Sequence, residues 1–76
     1  MNLKIGDYVE LQPDERYTKS WYYVRGIVTR VLNDENIFIK LCYIPNSIGF
    51  KKGDTTNIGG NVKKIIVTMP EYLKDV

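Results

Sequence analysis

The chain has 76 residues, of which 43% are hydrophobic and 26% charged, and its formal net charge is +2. This length allows one domain, residues 1–76, and the composition is that of a folded globular protein rather than a disordered one. No run approaches the ~20 apolar residues of a membrane-spanning helix, and the amino terminus lacks the pattern of a signal peptide. We therefore expect a cytoplasmic protein with no membrane partner, as a monomer or a small homo-oligomer.

Alternating apolar residues predict strands along most of the chain. The first strand is expected over Leu3–Leu11, interrupted by a Gly-Asp step at which the chain joins the sheet. A polar loop follows over residues 12–20. A long second strand is predicted over Trp21–Leu32, with a kink or bulge at Gly26, because glycine inside a strand usually marks one.

Further segments complete the predicted sheet. Asn33–Asn36 is typical of a hairpin loop, and Ile37–Ile44 is the expected third strand. Ser47–Ile58 predicts a second hairpin, and Val62–Val67 predicts the closing strand. A Met-Pro-Glu step at 69–71 predicts one helical turn, because proline is favoured at the first helical position.

The sequence resembles the small SH3-like barrels, the superfold to which Tudor and KOW domains belong. It has the apolar-Gly-Asp-x-Val opening at 5–9, Gly-x-Val-x-x-Val at 26–31 and Asn-apolar-x-x-Ile at 61–65. The resemblance implies an all-β fold, a small five-stranded SH3-like barrel, to which the helical turn predicted at 69–71 adds a short C-terminal element. Barrels of this kind are usually binding modules rather than enzymes, but the fold alone does not specify a ligand.

Catalytic chemistry finds little support in the sequence. There is no histidine and only one cysteine, Cys42, so the commonest general base and the usual zinc ligands are missing. The carboxylates Asp34 and Glu35 lie in a predicted hairpin loop, where such residues are typical solvated turn formers. Cys42 lies in an apolar run and is expected to be a buried thiol. We expect no enzyme activity and no cofactor.

Aromatic residues cluster around the start of the predicted second strand. Tyr17, Trp21, Tyr22 and Tyr23 fall within seven positions. If Tyr22 is directed inward, the two-residue period of a strand directs Trp21 and Tyr23 outward beside Arg25. Exposed Trp, Tyr and Arg are typical of interface hot spots, so the predicted partner site consists of Tyr17, Trp21, Tyr23 and Arg25. Burial of these aromatics in the core is the alternative.

Two lysine pairs are candidates for contacts to phosphates or to an acidic partner. Lys51 and Lys52 fall in a predicted turn, and Lys63 and Lys64 begin the last predicted strand. Beside an aromatic groove, such pairs can follow a nucleic-acid backbone. Lysines at turns and strand edges also serve as solvated groups that protect the edge.

The leading hypothesis is a non-enzymatic, stand-alone binding protein that docks stoichiometrically onto another protein as an inhibitor, adaptor or accessory subunit. The abundance of Ile, Lys, Asn and Tyr is typical of an AT-rich coding genome and favours a phage or mobile-element protein, for example one acting against host defence or transcription. An RNA- or DNA-binding barrel is the first alternative. An oligomeric small-ligand or nucleotide-sequestering protein is the second.

Overall fold

The computed structural model describes residues 3–16, 18–59 and 62–74. Five strands form one antiparallel sheet in the order β4-β3-β2-β1-β5. The strands are β1 (Tyr8–Leu11), β2 (Arg25–Asn33), β3 (Asn36–Tyr43), β4 (Thr55–Asn57) and β5 (Lys64–Ile66). A 3₁₀ helix (Lys19–Trp21) precedes β2, and a short helix α1 (Glu71–Lys74) follows β5. The predicted all-β fold with five strands and a C-terminal helical turn is confirmed.

The sheet brings the last strand back to the first, because β1 pairs with β2 on one side and with β5 on the other. Strands β4 and β5 lie at opposite ends of the strand order, and no ladder joins them within the described ranges. Closure of the sheet into a barrel therefore stays a prediction. Within the same ranges, neither helix has the length and apolar character that crossing a membrane requires.

The β2–β3 hairpin turns where the sequence predicts it. The Oδ1 atom of Asn33 accepts hydrogen bonds from the backbone N–H of Glu35 (2.9 Å) and from the side-chain amide of Asn36 (3.1 Å). An asparagine side chain used in this way replaces a backbone partner in the turn. The two long strands can therefore reverse within a very short loop.

One face of the sheet buries the core. Its members are Val9, Leu11, Val24, Val28, Ile37, Ile39, Leu41 and Ile58. Full burial of such a side chain contributes about 1.5–3 kcal/mol, whereas one hydrogen bond contributes a net ~1 kcal/mol. Because β4 and β5 have only three residues each, packing on this face stabilises the sheet more than its shortest ladders do.

The first strand begins later than predicted. Over Leu3–Leu11, only the last four residues form β1. The preceding residues form a turn, in which the N–H of Asp7 donates to the carbonyl of Lys4 (3.1 Å) and the N–H of Lys4 donates to Oδ2 of Asp7 (2.9 Å). The turn leaves Ile5 exposed, whereas Val9 is buried. The two side chains therefore do not lie on the same strand face, although their spacing in the sequence suggests it.

The second strand also begins later, and here the prediction is wrong in a way that affects the site. The first residue of the predicted strand Trp21–Leu32 is the last residue of the 3₁₀ helix, and Tyr23 has a positive φ of 68°. A positive φ interrupts the alternation of side chains, so β2 begins only at Arg25. The predicted closing strand Val62–Val67 is likewise shorter, and β5 covers only its middle.

Gly26 is a point of close approach between β2 and β3. A Cβ atom at this position would lie 2.7 Å from the carbonyl oxygen of Lys40 and 2.9 Å from Cδ1 of Ile39. The strand register also shifts between Arg25 and Gly26, as expected of a bulge. The predicted irregularity at Gly26 is confirmed, and its cause is the backbone of β3.

We expect Gly26→Ala to lower the free energy of unfolding by about 1–3 kcal/mol, because the new methyl group must displace backbone atoms of β3. Urea denaturation followed by circular dichroism measures the change. Arg30→Ala, in the exposed part of the same strand, is the control and should change stability by about 0.5 kcal/mol or less. Equal stability of the two variants would show that β3 yields to the added methyl group.

Candidate binding surface

A row of side chains crosses four strands on the face opposite the core. Ile65 of β5 pairs with Glu10 of β1, Glu10 pairs with Arg25 of β2, and Arg25 pairs with Tyr43 of β3. Cross-strand partners share a face of the sheet, and their Cβ atoms lie about 5 Å apart. We call these four residues the outer row.

Arg25 is held in place at the centre of the outer row. Its Nε and Nη2 atoms donate to Oε2 of Glu10 at 2.8 and 2.7 Å, and its guanidinium lies 5.9 Å from the ring centroid of Tyr43. The amide of Gln12 donates to the other oxygen of Glu10 at 2.7 Å. The hydrogen bond to Glu10 raises the pKa of Arg25. The guanidinium is therefore oriented before any partner arrives.

A bulge in β3 brings Tyr43 to this face. Gly26 pairs with Leu41 while Arg25 pairs with Tyr43, so Cys42 is an extra residue on β3. Leu41 and Cys42 are consecutive and both are buried, in agreement with the shift of register at this point. Without the extra residue, Tyr43 would share the core face of Leu41. The buried thiol predicted for Cys42 is confirmed, and its burial raises the pKa of that thiol.

Tyr43 separates two surface grooves. The smaller, of about 260 Å³, is lined by Tyr8, Arg25, Tyr43, Pro70 and Tyr72. The larger, of about 580 Å³, runs along the other side of Tyr43 and includes Phe50 and Lys52. Both Tyr43 and Tyr72 are exposed. Together these residues present aromatic rings beside an oriented guanidinium.

Tyr8 forms the floor of the smaller groove. It is 4% exposed, and burial raises the pKa of its phenol. The backbone N–H of Val67 donates to the carbonyl of Tyr8 at 2.9 Å, which holds the segment leading to α1 against β1. The carboxyl-terminal segment thus supplies the Pro70 and Tyr72 wall of the groove.

Trp21 lies on the core side of the sheet rather than beside Arg25. It packs against the core, and its ring meets that of Phe50 edge to face, with centroids 5.6 Å apart. This corrects the expected outward group of Trp21, Tyr23 and Arg25. Tyr23 is exposed, but its ring neighbour is Tyr22, at 6.4 Å. The fourth predicted residue, Tyr17, lies outside the described residues.

The four lysines singled out in the sequence have different surroundings. Lys64 is 9% exposed, and its Nζ donates to the carbonyls of Gly59 (3.1 Å) and Val62 (2.8 Å). Burial lowers the pKa of Lys64, and its amine is not presented at the surface as a phosphate contact requires. The other three predicted basic residues are exposed, namely Lys51, Lys52 and Lys63.

The residues that sequence reasoning missed are Glu10, Tyr43 and Tyr72. A charge pair across two strands can be found from sequence only when the register is known, and Tyr43 changes face because of the bulge. Tyr72 adjoins the predicted helical turn, where a tyrosine has no special signature. The alternation of apolar and polar residues therefore predicts where the strands lie, but it does not predict which aromatic side chains are exposed.

Comparison with protein-family models, with curated proteins and with solved structures finds no match to this chain. Among the described residues, no three His, Cys, Asp or Glu side chains cluster as the ligands of a metal ion would.

The ion pair in the outer row is expected to couple its two residues energetically. A double-mutant cycle of Glu10→Gln and Arg25→Met should give a coupling energy of about 0.5–1 kcal/mol, reduced because the pair is partly solvated. Urea denaturation of the four proteins measures it. Arg30→Met combined with Glu10→Gln is the control, since Arg30 is an exposed arginine farther along β2. An equal coupling in both cycles would contradict a specific contact between Glu10 and Arg25.

The loop before the 3₁₀ helix carries a second, exposed ion pair. Arg16 donates to Asp14 through Nε (3.0 Å) and Nη2 (2.6 Å), and its backbone N–H also donates to Oδ1 (3.0 Å). The Tyr22 hydroxyl donates to the backbone carbonyl of Asp14 at 3.1 Å. The side-chain hydrogen bond from Arg16 is the main reason that the pKa of Asp14 falls to about 2.

We expect Arg16→Gln to raise the pKa of Asp14 from about 2 toward its ordinary value of 3.8. The folded-state pKa lies below the ordinary one, so the ion pair stabilises the loop above pH 3.8 and the effect is lost as the pH falls through 2. Carboxyl chemical shifts followed by NMR between pH 1.5 and 6 measure the titration. Lys19→Gln is the control, and an unchanged titration in Arg16→Gln would contradict the assignment.

Proposed function

We propose that this chain is a non-enzymatic binding protein that docks stoichiometrically onto another protein. The main support for the proposal is the surface around Tyr43, whose exposed ring lies between two grooves. Beside it lies the guanidinium of Arg25, which Glu10 holds in place. An inhibitor, an adaptor and an accessory subunit all act through such a surface.

The residue types on this surface support a protein partner. Tyrosine and arginine are enriched among the few residues that contribute most of the binding energy at interfaces. Arg25 and the ring of Tyr43 are already in contact, so little side-chain freedom remains to be lost on binding. The surface also contains Tyr72 and Phe50, which are exposed in the free chain.

Two cationic side chains near this surface are already engaged within the chain, which supports a protein rather than a nucleic acid as partner. Binding to a phosphate backbone depends on free cationic side chains. Arg25 is paired with Glu10, and the amine of Lys64 is bonded to carbonyls of its own chain. Lys63 lines a surface depression together with Asp14 and Glu15, so the two carboxylates offset its positive charge.

The test is affinity capture with the tagged chain from a lysate of the source organism, after nuclease treatment and at high salt. A protein retained by the wild type is then titrated against purified variants. We expect Tyr43→Ala and Tyr72→Ala each to weaken binding about 30-fold, which corresponds to a hot-spot contribution of ~2 kcal/mol. Arg25→Met should weaken it similarly, because the guanidinium lies in the same surface.

Tyr23→Ala is the matched control, since Tyr23 is 50% exposed and Tyr43 49%, yet Tyr23 is outside both grooves. Circular dichroism should show that each variant remains folded. Loss of binding in Tyr23→Ala but not in Tyr43→Ala would return the site to the aromatic segment first suggested by the sequence. Recovery of nucleic acid alone, released as salt rises, would replace the proposal by the nucleic-acid alternative.

A further inference from the structure

The outer edge of β5 has an unusual combination of properties. β5 is the last strand in the sheet order and pairs only with β1 in the described ladders. Gln12 donates to the carbonyl of Lys63, and Val67 donates to that of Tyr8. Hydrogen-bonded and non-hydrogen-bonded pairs alternate along an antiparallel ladder. The pair Glu10–Ile65 lies midway between these two hydrogen-bonded pairs, so the N–H and C=O groups of Ile65 point toward β1. The N–H and C=O groups of Lys64 and Ile66 therefore point away from the sheet.

The side chains at this edge are apolar and exposed. Ile65 is 42% exposed and Ile66 52%. The opposite edge, β4, has the sequence Thr-Thr-Asn, which is polar throughout. The two ends of the sheet thus differ in chemistry, and only the β5 edge combines outward backbone groups with exposed aliphatic side chains.

The lysines that would usually protect such an edge are directed elsewhere. A charged side chain, lysine above all, is a common device against pairing of strand edges. Lys64 instead donates to the carbonyls of Gly59 and Val62 in its own chain. Lys63 lies near Asp14, and its charge helps lower the pKa of that carboxyl. The exposed side chains of β5 itself are therefore uncharged.

We propose that two copies of this chain pair through their β5 strands in an antiparallel, two-fold symmetric dimer. Lys64 of one copy would exchange backbone hydrogen bonds with Ile66 of the other. Ile65 would then lie opposite Ile65 of the second copy on the two-fold axis. Self-pairing fits because the exposed side chains of β5 are aliphatic, and an aliphatic surface is best complemented by another one. Pairing of β5 with β4 would place isoleucines beside Thr-Thr-Asn and would also extend without closing.

Dimerisation would join the two outer rows. Each row ends at Ile65, so the pair would run from Tyr43 of one copy through both isoleucines to Tyr43 of the other. With ~4.8 Å between strands, the two Arg25 residues would lie about 24 Å apart across five inter-strand spacings. The dimer does not depend on the proposed docking function, but it would present two docking surfaces on one face of a continuous sheet.

The test is sedimentation equilibrium over about 5 µM to 1 mM protein, because a three-residue edge buries less than a standard interface and should associate weakly. We expect the mass to rise from 8.8 kDa to twice that value. Ile65→Lys and Ile65→Glu should each stay monomeric, since like charges would meet at the two-fold axis. An equimolar mixture of these two variants should recover the dimer, because opposite charges then face each other.

A second variant and a control complete the experiment. Ile66→Pro removes an outward N–H without removing a hydrogen bond to β1, and it should also stay monomeric. Leu32→Lys, at a residue 54% exposed on the β2–β3 hairpin, should dimerise as the wild type does. A wild type that stays at 8.8 kDa throughout, or a dimer that survives Ile65→Lys, would overturn the proposal. So would a mass that keeps rising beyond two copies, or loss of the dimer in Leu32→Lys.

Discussion

The close approach of β2 to β3 at Gly26 is the constraint on which both faces of the sheet depend. Any side chain at this position would collide with the carbonyl of Lys40. On one side of Gly26, the strands pair so that Val28 and Ile39 meet in the core. On the other side, the bulge at Cys42 brings Tyr43 opposite Arg25. One backbone contact therefore separates a region that stabilises the fold from a region available for binding.

The outer row shows how a very small domain can present an ordered polar surface. A chain of this size buries only about 60% of its surface on folding, so few side chains are held rigidly by packing alone. Arg25 is instead held by hydrogen bonds to Glu10, and Glu10 is held in turn by Gln12. Forming this network in the free chain costs little desolvation energy, because Arg25 remains partly hydrated there. The order it provides reduces the entropy lost on binding.

Much of the fold can be predicted from local sequence patterns, such as the alternation of apolar and polar residues. The outer row and its grooves cannot. The hairpin at Asn33–Asn36, the irregularity of β2 at Gly26 and the helical turn after Pro70 all have local signals that act over a few residues. The face of Tyr43 depends on a one-residue shift that arises between two strands, so the sequence of β3 alone carries no sign of it. Trp21 is misassigned for a related reason, because the positive φ at Tyr23 changes the direction of the chain just before β2.

Lys64 is the clearest case in which residue type misleads. A lysine at the start of an edge strand is expected in solvent, yet its amine satisfies two carbonyls of the segment before β5. Burying the ammonium lowers the pKa of Lys64, and the two charge-assisted hydrogen bonds offset part of that desolvation cost. The same contacts leave the neighbouring Ile65 and Ile66 as the exposed side chains of the strand. With the Lys64 amine held against its own chain, the exposed side chains of this edge strand are aliphatic.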